Sequence, residues 1–260
     1  MLSEGSFRVL RRKTECGHST GDIQVISPQF ASDLIIALLS YSYILLAIFI
    51  SEKTEYILNW SRKTSRKLMH ILIGNFPFVI IFFGNRFFPV AIAASFVVVT
   101  FLASPYSPFD GWKRRLKGLQ DTTIGGHPLG LILYAVSYTL LAALFFDRPY
   151  IIAIGILPMA YGDSLAALVG GRYGKRRFKF FVQKTVEGSL TLSLASFISV
   201  FFGLLFYSMF FSFALFEILL VSIVVSLLAM IVEAVSPFGL DNLTVPLMCA
   251  LGAYFLMMWI

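Results

Sequence analysis

The sequence predicts an all-α integral membrane protein, a polytopic helical bundle of about eight transmembrane helices, and three observations carry that reading. Of the 260 residues, 58% are hydrophobic and 13% charged, about half the charged fraction typical of a soluble domain. Apolar runs long enough, or nearly so, to cross a bilayer recur along almost the whole chain. The basic residues behind the net charge of +7 gather in alternate loops between those runs.

Taken in order, residues 1–30 form a polar N-terminal tail that contains Glu4, Glu15 and Asp22 and does not read as a cleaved signal. Residues 31–260 are read as one transmembrane domain, its first apolar run covering about 33–50. The second and third, about 70–84 and 87–103, are short and joined by a tight turn at Asn85-Arg86, which suits tilted or partly re-entrant segments. The fourth and fifth cover about 129–147 and 150–170, and the fifth carries Pro158, Gly162 and Asp163. The last three cover about 189–210, 212–234 and 244–260. Cys16 and Cys249 read as unpaired thiols, one in the tail and one in the last run. His18, His70 and His127 are far apart and form no metal-type cluster with cysteine.

The loops carry an asymmetry. Lys53, Arg62, Lys63, Arg66 and Lys67 follow the first run; Lys113, Arg114, Arg115 and Lys117 follow the third. Arg172, Lys175, Arg176, Arg177, Lys179 and Lys184 follow the fifth, whereas the intervening loops hold only Arg86 and Arg148. Basic residues mark the cytoplasmic side, so these three loops and the one after the seventh run are expected there. Arg8, Arg11, Arg12 and Lys13 in the tail run against this, but lie about twenty residues from the first run, where the rule weakens.

Every unusual polar cluster then falls on one side. An Asp inside an apolar run is costly unless it has a task, and Asp163 sits about 10 Å below the end of its run at helical rise. Pro158 and Gly162 loosen the helix before it, as at broken helices that line polar cavities. Gly170-Gly171-x-x-Gly174-Lys175 is not a Walker A loop, but glycines beside lysines allow close approach to phosphates. Lys184-Thr185-Val186-Glu187-Gly188 opens the next run; Lys184 can hold a phosphate, and Thr185 can cap the helix or meet a metal. Arg66 and His70 share a helix face, as a flanking topology signal or as a phosphate grip. Glu233 and Asp241-Asn242 can ligate Mg2+, orient an alcohol or ribose, or simply cap a helix before Pro246. His127, between Gly126 and Pro128, reads as a turn or as a cavity residue.

Arg66-Lys67-x-x-His70, Gly162-Asp163-Ser164-x-Ala166-Ala167, Gly170-x-x-x-Gly174-Lys175, Lys184-Thr185-x-Glu187-Gly188 and Asp241-Asn242-x-x-x-Pro246 follow one another as in the phytol, polyprenol and dolichol kinases. From about residue 60 to the C-terminus the chain resembles that family. The resemblance implies transfer of the γ-phosphoryl group of a nucleoside triphosphate, typically CTP with ATP as the alternative, to the hydroxyl of a long isoprenoid alcohol, with Mg2+. It implies catalytic roles for Asp163, His70 and Lys184, with Asp163 as metal ligand or general base. Phosphate and nucleotide contacts fall to Arg66, Lys67, Gly162, Gly170, Gly174, Lys175, Lys184, Thr185, Glu187 and Gly188. Mg2+ falls to Asp163 and Asp241, and the substrate end of the cavity to Ser164, His127, Glu233 and Asn242.

Two other classes compete. CDP-lipid synthases share part of this vocabulary but consume a lipid phosphate and release pyrophosphate. A transporter would use Asp163 as an ion relay and need counter-charges toward the far side, which is nearly bare of them. The expected partners are the alcohol, the nucleotide and the bilayer, with no nucleic acid; a homo-oligomer is compatible with the sequence. Without a transit-peptide pattern, the expected location is a prokaryotic plasma membrane with the site on the cytoplasmic side.

Overall fold

The computed structural model describes residues 27–116, 119, 128–179, 181, 183–237 and 239–260. His127, Gly125 and Gly126, and residues 1–26 of the expected tail, lie outside them. Helix α1 (Pro28–Ile57) starts before the expected run, because Ser27 Oγ accepts the Phe30 amide at 3.2 Å and Pro28 occupies the first turn. Asp33 is buried in it; its Oδ1 accepts the Gly84 amide at 2.8 Å and ties α1 to the turn at the far end of the bundle.

The expected second span is where the structure departs most. Helix α2 (Arg62–Ile73) begins well before residue 70, capped by Ser61, and stops at Gly74. A break at Gly74–Phe76 and a single turn, α3 (Pro77–Ile80), complete that segment, so 70–84 is no continuous helix. Helices α4 (Phe87–Ala103) and the short α5 (Asp110–Arg115) follow. Beyond them lie α6 (Gly130–Phe145) and α7 (Pro149–Leu157). A π-helical turn (Pro158–Asp163) leads on into α8 (Ser164–Tyr173). Then come α9 (Val186–Tyr207), α10 (Leu215–Val235) and α11 (Asp241–Met257).

Among the described residues, four helical stretches are long and apolar enough to cross a membrane: Pro28–Thr54, Pro149–Tyr173, Val186–Tyr207 and Leu215–Val235. Helices α4, α6 and α11 are apolar but shorter. The chain is thus a helical membrane protein; its described residues include four helical stretches of spanning length and three shorter apolar helices, where about eight spans were expected.

Helix α7 is the axis. Ile151, Ile152, Ala153, Ile154, Ile156 and Leu157 are all buried, the signature of a helix covered on every side. Without a hydrophobic force between helices in lipid, close packing holds such a bundle, and small residues permit it. A Cβ on Gly155 would come within 2.6 Å of the Pro246 carbonyl oxygen, and one on Gly74 within 2.2 Å of Ala160 Cβ. At the far end, Arg86 and Asp147 pair at 3.0 Å on the surface.

One element escapes the all-α expectation. Between α8 and α9 the chain forms an antiparallel ribbon, β1 (Arg177–Lys179) on β2 (Gln183–Thr185), with Phe178 opposite Lys184. Both Glu187 carboxylate oxygens accept the Arg176 amide at 3.3 Å, and the Val186 amide donates to the Arg176 carbonyl at 2.9 Å. These bonds fix the ribbon to the start of α9.

Candidate active site

The π turn ends on Asp163. Pro158 cannot donate a backbone hydrogen bond, and a π turn inside an α-helix is an arrangement often found at functional sites. Asp163 is buried and paired with Lys67 of α2. One residue on, Ser164 Oγ donates to the Lys67 carbonyl at 3.2 Å, which fixes α8 against α2. Gly162 packs on the other side, where an added Cβ would lie 2.2 Å from Ser196 Oγ of α9.

Around this pair lies a cavity of about 300 Å3, at the lower end of the usual range for small-ligand sites. Helix α2 supplies Lys63, Arg66 and Lys67, α8 supplies Ala166, Ala167, Gly170 and Gly171, and the ribbon supplies Gln183, Lys184 and Thr185. Gly188, Ser189, Glu233 and Asp241 complete the wall. Four cationic side chains and three carboxylates, drawn from segments far apart in the chain, therefore share one space.

Two of the cations are matched with carboxylates. Lys184 is bonded to Glu233 of α10, as Lys67 is to Asp163. Burial weighs against the Lys184 charge, but the neighbouring Glu233 carboxylate more than offsets it and holds the amine above its ordinary pKa. Lys63 is the reverse: burial, then Lys67 and Arg66, push its pKa down. Arg66 Nε and Glu233 Oε2 are buried and have no hydrogen-bond partner among the described residues.

Two helices begin at the cavity. Thr185 is the N-cap of α9, its Oγ1 accepting the Gly188 amide at 3.1 Å, and Asp241 is the first residue of α11. Helix N-termini favour anions. Gly170 and Gly188 line the wall and also allow α8 to pack on α9: a Cβ on Gly170 would lie 2.7 Å from Thr185 Oγ1 and 3.2 Å from Gly188 Cα.

Of the residues singled out in the sequence, the cavity wall unites Arg66, Lys67, Asp163, Gly170, Lys184, Thr185, Gly188, Glu233 and Asp241. Ser164, Gly162 and Asn242 stand behind it; a Cβ on Gly130, at the start of α6, would meet both Arg66 and Asn242 at 3.3 Å. Gly174 packs against Thr185, Glu187 closes the ribbon, and Lys175 is exposed and apart from the wall. His70 is buried one turn beyond Arg66 on α2 and lines a different cavity. Lys63, Gln183 and Ser189 were not singled out. Lys63 stands three and four residues before Arg66 and Lys67, a helical spacing that would have found it.

Among the described residues no three His, Cys, Asp or Glu side chains are grouped to hold a metal by themselves. Mg2+ does not require that, because it keeps waters and usually takes one or two carboxylates together with substrate phosphates. Asp163 and Asp241 on one wall fit that donor set.

Fold and site together define a helical membrane protein with a charged cavity in which four cationic side chains and three carboxylates meet. The chain is 35% identical over 195 residues to the phytol kinase of Synechocystis sp., an alignment covering 74% of this chain and 78% of that one. It is 33% identical over 149 residues to the dolichol kinase of Saccharomyces cerevisiae, covering 53% and 27%. Against a probable chloroplastic phytol kinase 2 of Oryza sativa subsp. japonica it is 28% identical over 204 residues, covering 72% and 64%. No family model matches the chain, and no solved structure does. The chain belongs to the phytol and dolichol kinase family.

Proposed function

We propose that this protein is a membrane kinase that moves the γ-phosphoryl group of a nucleoside triphosphate, CTP in preference to ATP, onto the hydroxyl of a long isoprenoid alcohol. Phytol, geranylgeraniol, polyprenol and dolichol are the candidate acceptors, and the cytoplasmic face is the side from which the nucleotide enters. The observation that carries the reading is the single cavity in which Lys63, Arg66, Lys67 and Lys184 face Asp163, Glu233 and Asp241 at one end of a membrane bundle. Kinship with phytol and dolichol kinases supports the acceptor class.

Phosphoryl transfer asks for positioning and charge neutralisation more than for covalent chemistry. Lys67 and Lys184 are held by carboxylates in the resting protein. An incoming triphosphate offers both lysines stronger anionic partners, which would free Asp163 from Lys67 and Glu233 from Lys184. Asp163 and Asp241 would then hold Mg2+, which supplies neutralisation of charge on the phosphate oxygens. Arg66, whose side chain lines the cavity, adds a planar donor for phosphate oxygen. The alcohol oxygen attacks the γ-phosphorus, the bond to the β–γ bridging oxygen breaks, the nucleoside diphosphate leaves with that electron pair, and the hydroxyl proton is released.

Product analysis tests this. Purified protein given Mg2+, CTP or ATP, and either free prenol or prenyl phosphate should convert only the free prenol, to prenyl phosphate and a nucleoside diphosphate. Formation of a CDP-lipid and pyrophosphate from prenyl phosphate would overturn the kinase reading in favour of a cytidylyltransferase.

A further inference from the structure

Glu187 belongs with the cavity residues in the sequence but not in space. The wall passes from Gln183, Lys184 and Thr185 directly to Gly188 and Ser189, and Glu187 is not part of it. Its carboxylate turns back to the ribbon instead, where both oxygens accept the Arg176 amide at 3.3 Å. The Arg176 carbonyl in turn accepts the Val186 amide at 2.9 Å. Arg176 stands one residue before β1, so the base of the ribbon is held at an amide and at a carbonyl by the first two residues of α9. Glu187 is itself fixed on the helix, its carbonyl accepting from Thr191 Oγ1 at 2.8 Å.

What this tie controls is the place of Lys184. Strand β2 has three residues and pairs with a strand of three, Phe178 facing Lys184. A two-stranded ribbon is marginally stable by itself, so a tie from a helix at its base decides how firmly the register holds. The register matters because a lysine carries its charge at the end of a flexible four-carbon stem, and the ammonium is placed only as well as the backbone beneath it. Here the stem reaches in to Glu233 of α10, which leaves the Lys184 side chain 20% exposed. The next residue, Thr185, caps α9 through the Gly188 amide at 3.1 Å. Lys184 is therefore set between a helix cap on one side and a latched strand partner on the other.

The charge of Glu187 points the same way. An ionised carboxylate only accepts hydrogen bonds and repels a polyphosphate, whereas a backbone amide is a partner it satisfies well.

We infer that Glu187 is a positioning residue: by holding Arg176 it fixes the ribbon and so keeps the Lys184 ammonium at the cavity, without touching the bound nucleotide. The proposal rests on the kinase reading for the identity of the anion that Lys184 meets, and deepens it by giving Glu187 a role that acts through Lys184.

Lysine labelling tests the latch without any turnover. Full-length protein in lipid nanodiscs, acylated briefly with a water-soluble N-hydroxysuccinimide ester and read by peptide mass spectrometry, should show Lys184 labelled about tenfold faster in Glu187→Ala than in wild type, the scale of one hydrogen bond to a charged group. Lys67, buried on α2, should stay protected. Glu187→Gln should recover most of the protection, because its amide oxygen can still accept the Arg176 amide. Unchanged labelling of Lys184 in Glu187→Ala, or Lys67 laid open to the same degree, would overturn the assignment.

Titration with CTP and Mg2+ supplies the second test. Glu187→Ala should weaken nucleotide binding about tenfold, with the alcohol KM unchanged and Glu187→Gln close to wild type. Made on a Lys184→Ala background, the same substitution should cost less than about twofold more, since its effect runs through the lysine already removed. A double variant as weak as the product of its singles, or Glu187→Gln as weak as Glu187→Ala, would overturn the positioning role and give Glu187 a contact of its own. Wild-type protein that binds no nucleotide would overturn the kinase reading, and the labelling would still decide the latch.

Discussion

Asp163→Asn, made alone and together with Lys67→Met, separates what this buried pair does for the fold from what it does for the reaction. The side chains of Lys67 and Asp163 are 6% and 8% exposed, so removing one charge strands the other where little water reaches. Stranding a buried partner costs about 3–5 kcal/mol, and because this pair borders an open cavity the lower end applies, about 3 kcal/mol. The Arg86–Asp147 pair at the far end is the internal control: with side chains 59% and 77% exposed, Asp147→Asn should cost less than about 1 kcal/mol. Lys67→Met keeps the apolar stem and removes the second charge. The double variant then strands nothing and should recover most of the loss, a coupling that a double-mutant cycle measures directly.

Unfolding in mixed detergent micelles reads the stability, and prenyl phosphate formation reads the chemistry. The two should part company: stability returns in the double variant, while turnover stays down at least about a hundredfold in Asp163→Asn and in the double. A double variant as unstable as the sum of its singles would refute the claim that the pair is a matched unit. Turnover of Asp163→Asn within tenfold of wild type would remove Asp163 from the reaction.

Lys184→Ala should weaken nucleotide binding by tenfold or more in a direct titration, the loss of about one charge-assisted contact, whereas Lys175→Ala, at an exposed residue off the wall, should leave it nearly unchanged; equal effects would place the phosphates elsewhere. Two of the cavity lysines, Lys63 and Lys184, should also give opposite pH slopes. The depressed Lys63 leaves the unfolded chain holding more protons just below its ordinary value of 10.5, so stability rises with pH there, and Lys63→Met should flatten that slope in pH-dependent melts. The elevated Lys184 contributes stability that is intact below 10.5 and lost only as pH rises above it, a loss Lys184→Ala should abolish. Gly170→Ala would set a Cβ 2.7 Å from Thr185 Oγ1, disturbing the α9 cap at a cost of about 1 kcal/mol; a variant as stable as wild type with unaltered nucleotide KM would show that this contact yields freely.

The spans were legible where hydrocarbon runs are long, and Asp163 was legible because a carboxylate in such a run is expensive. The segment after α1 misled for the same reason that it matters. Hydropathy places Arg66 and Lys67 in a loop and starts a span at His70, yet one helix runs from Arg62 to Ile73 and buries all three. A hydropathy pattern cannot show a buried cation, because the group that permits its burial is remote: Lys67 meets a carboxylate 96 residues away and Lys184 one 49 residues away. The ribbon was equally hidden, since Arg177-Phe178-Lys179 and Gln183-Lys184-Thr185 are strands too short to show a period. Basic residues at the ends of membrane helices therefore divide into two kinds that look alike in the sequence. Those such as Arg176 and Arg177, left exposed, need no partner and can act as topology signals. Those such as Lys67 and Lys184, drawn inside against carboxylates from other helices, are tolerated only as matched pairs. A matched pair beside a cavity is also a charge that a stronger anion can take, and on the proposed reading that exchange would keep Lys67 and Lys184 balanced until a nucleotide arrives.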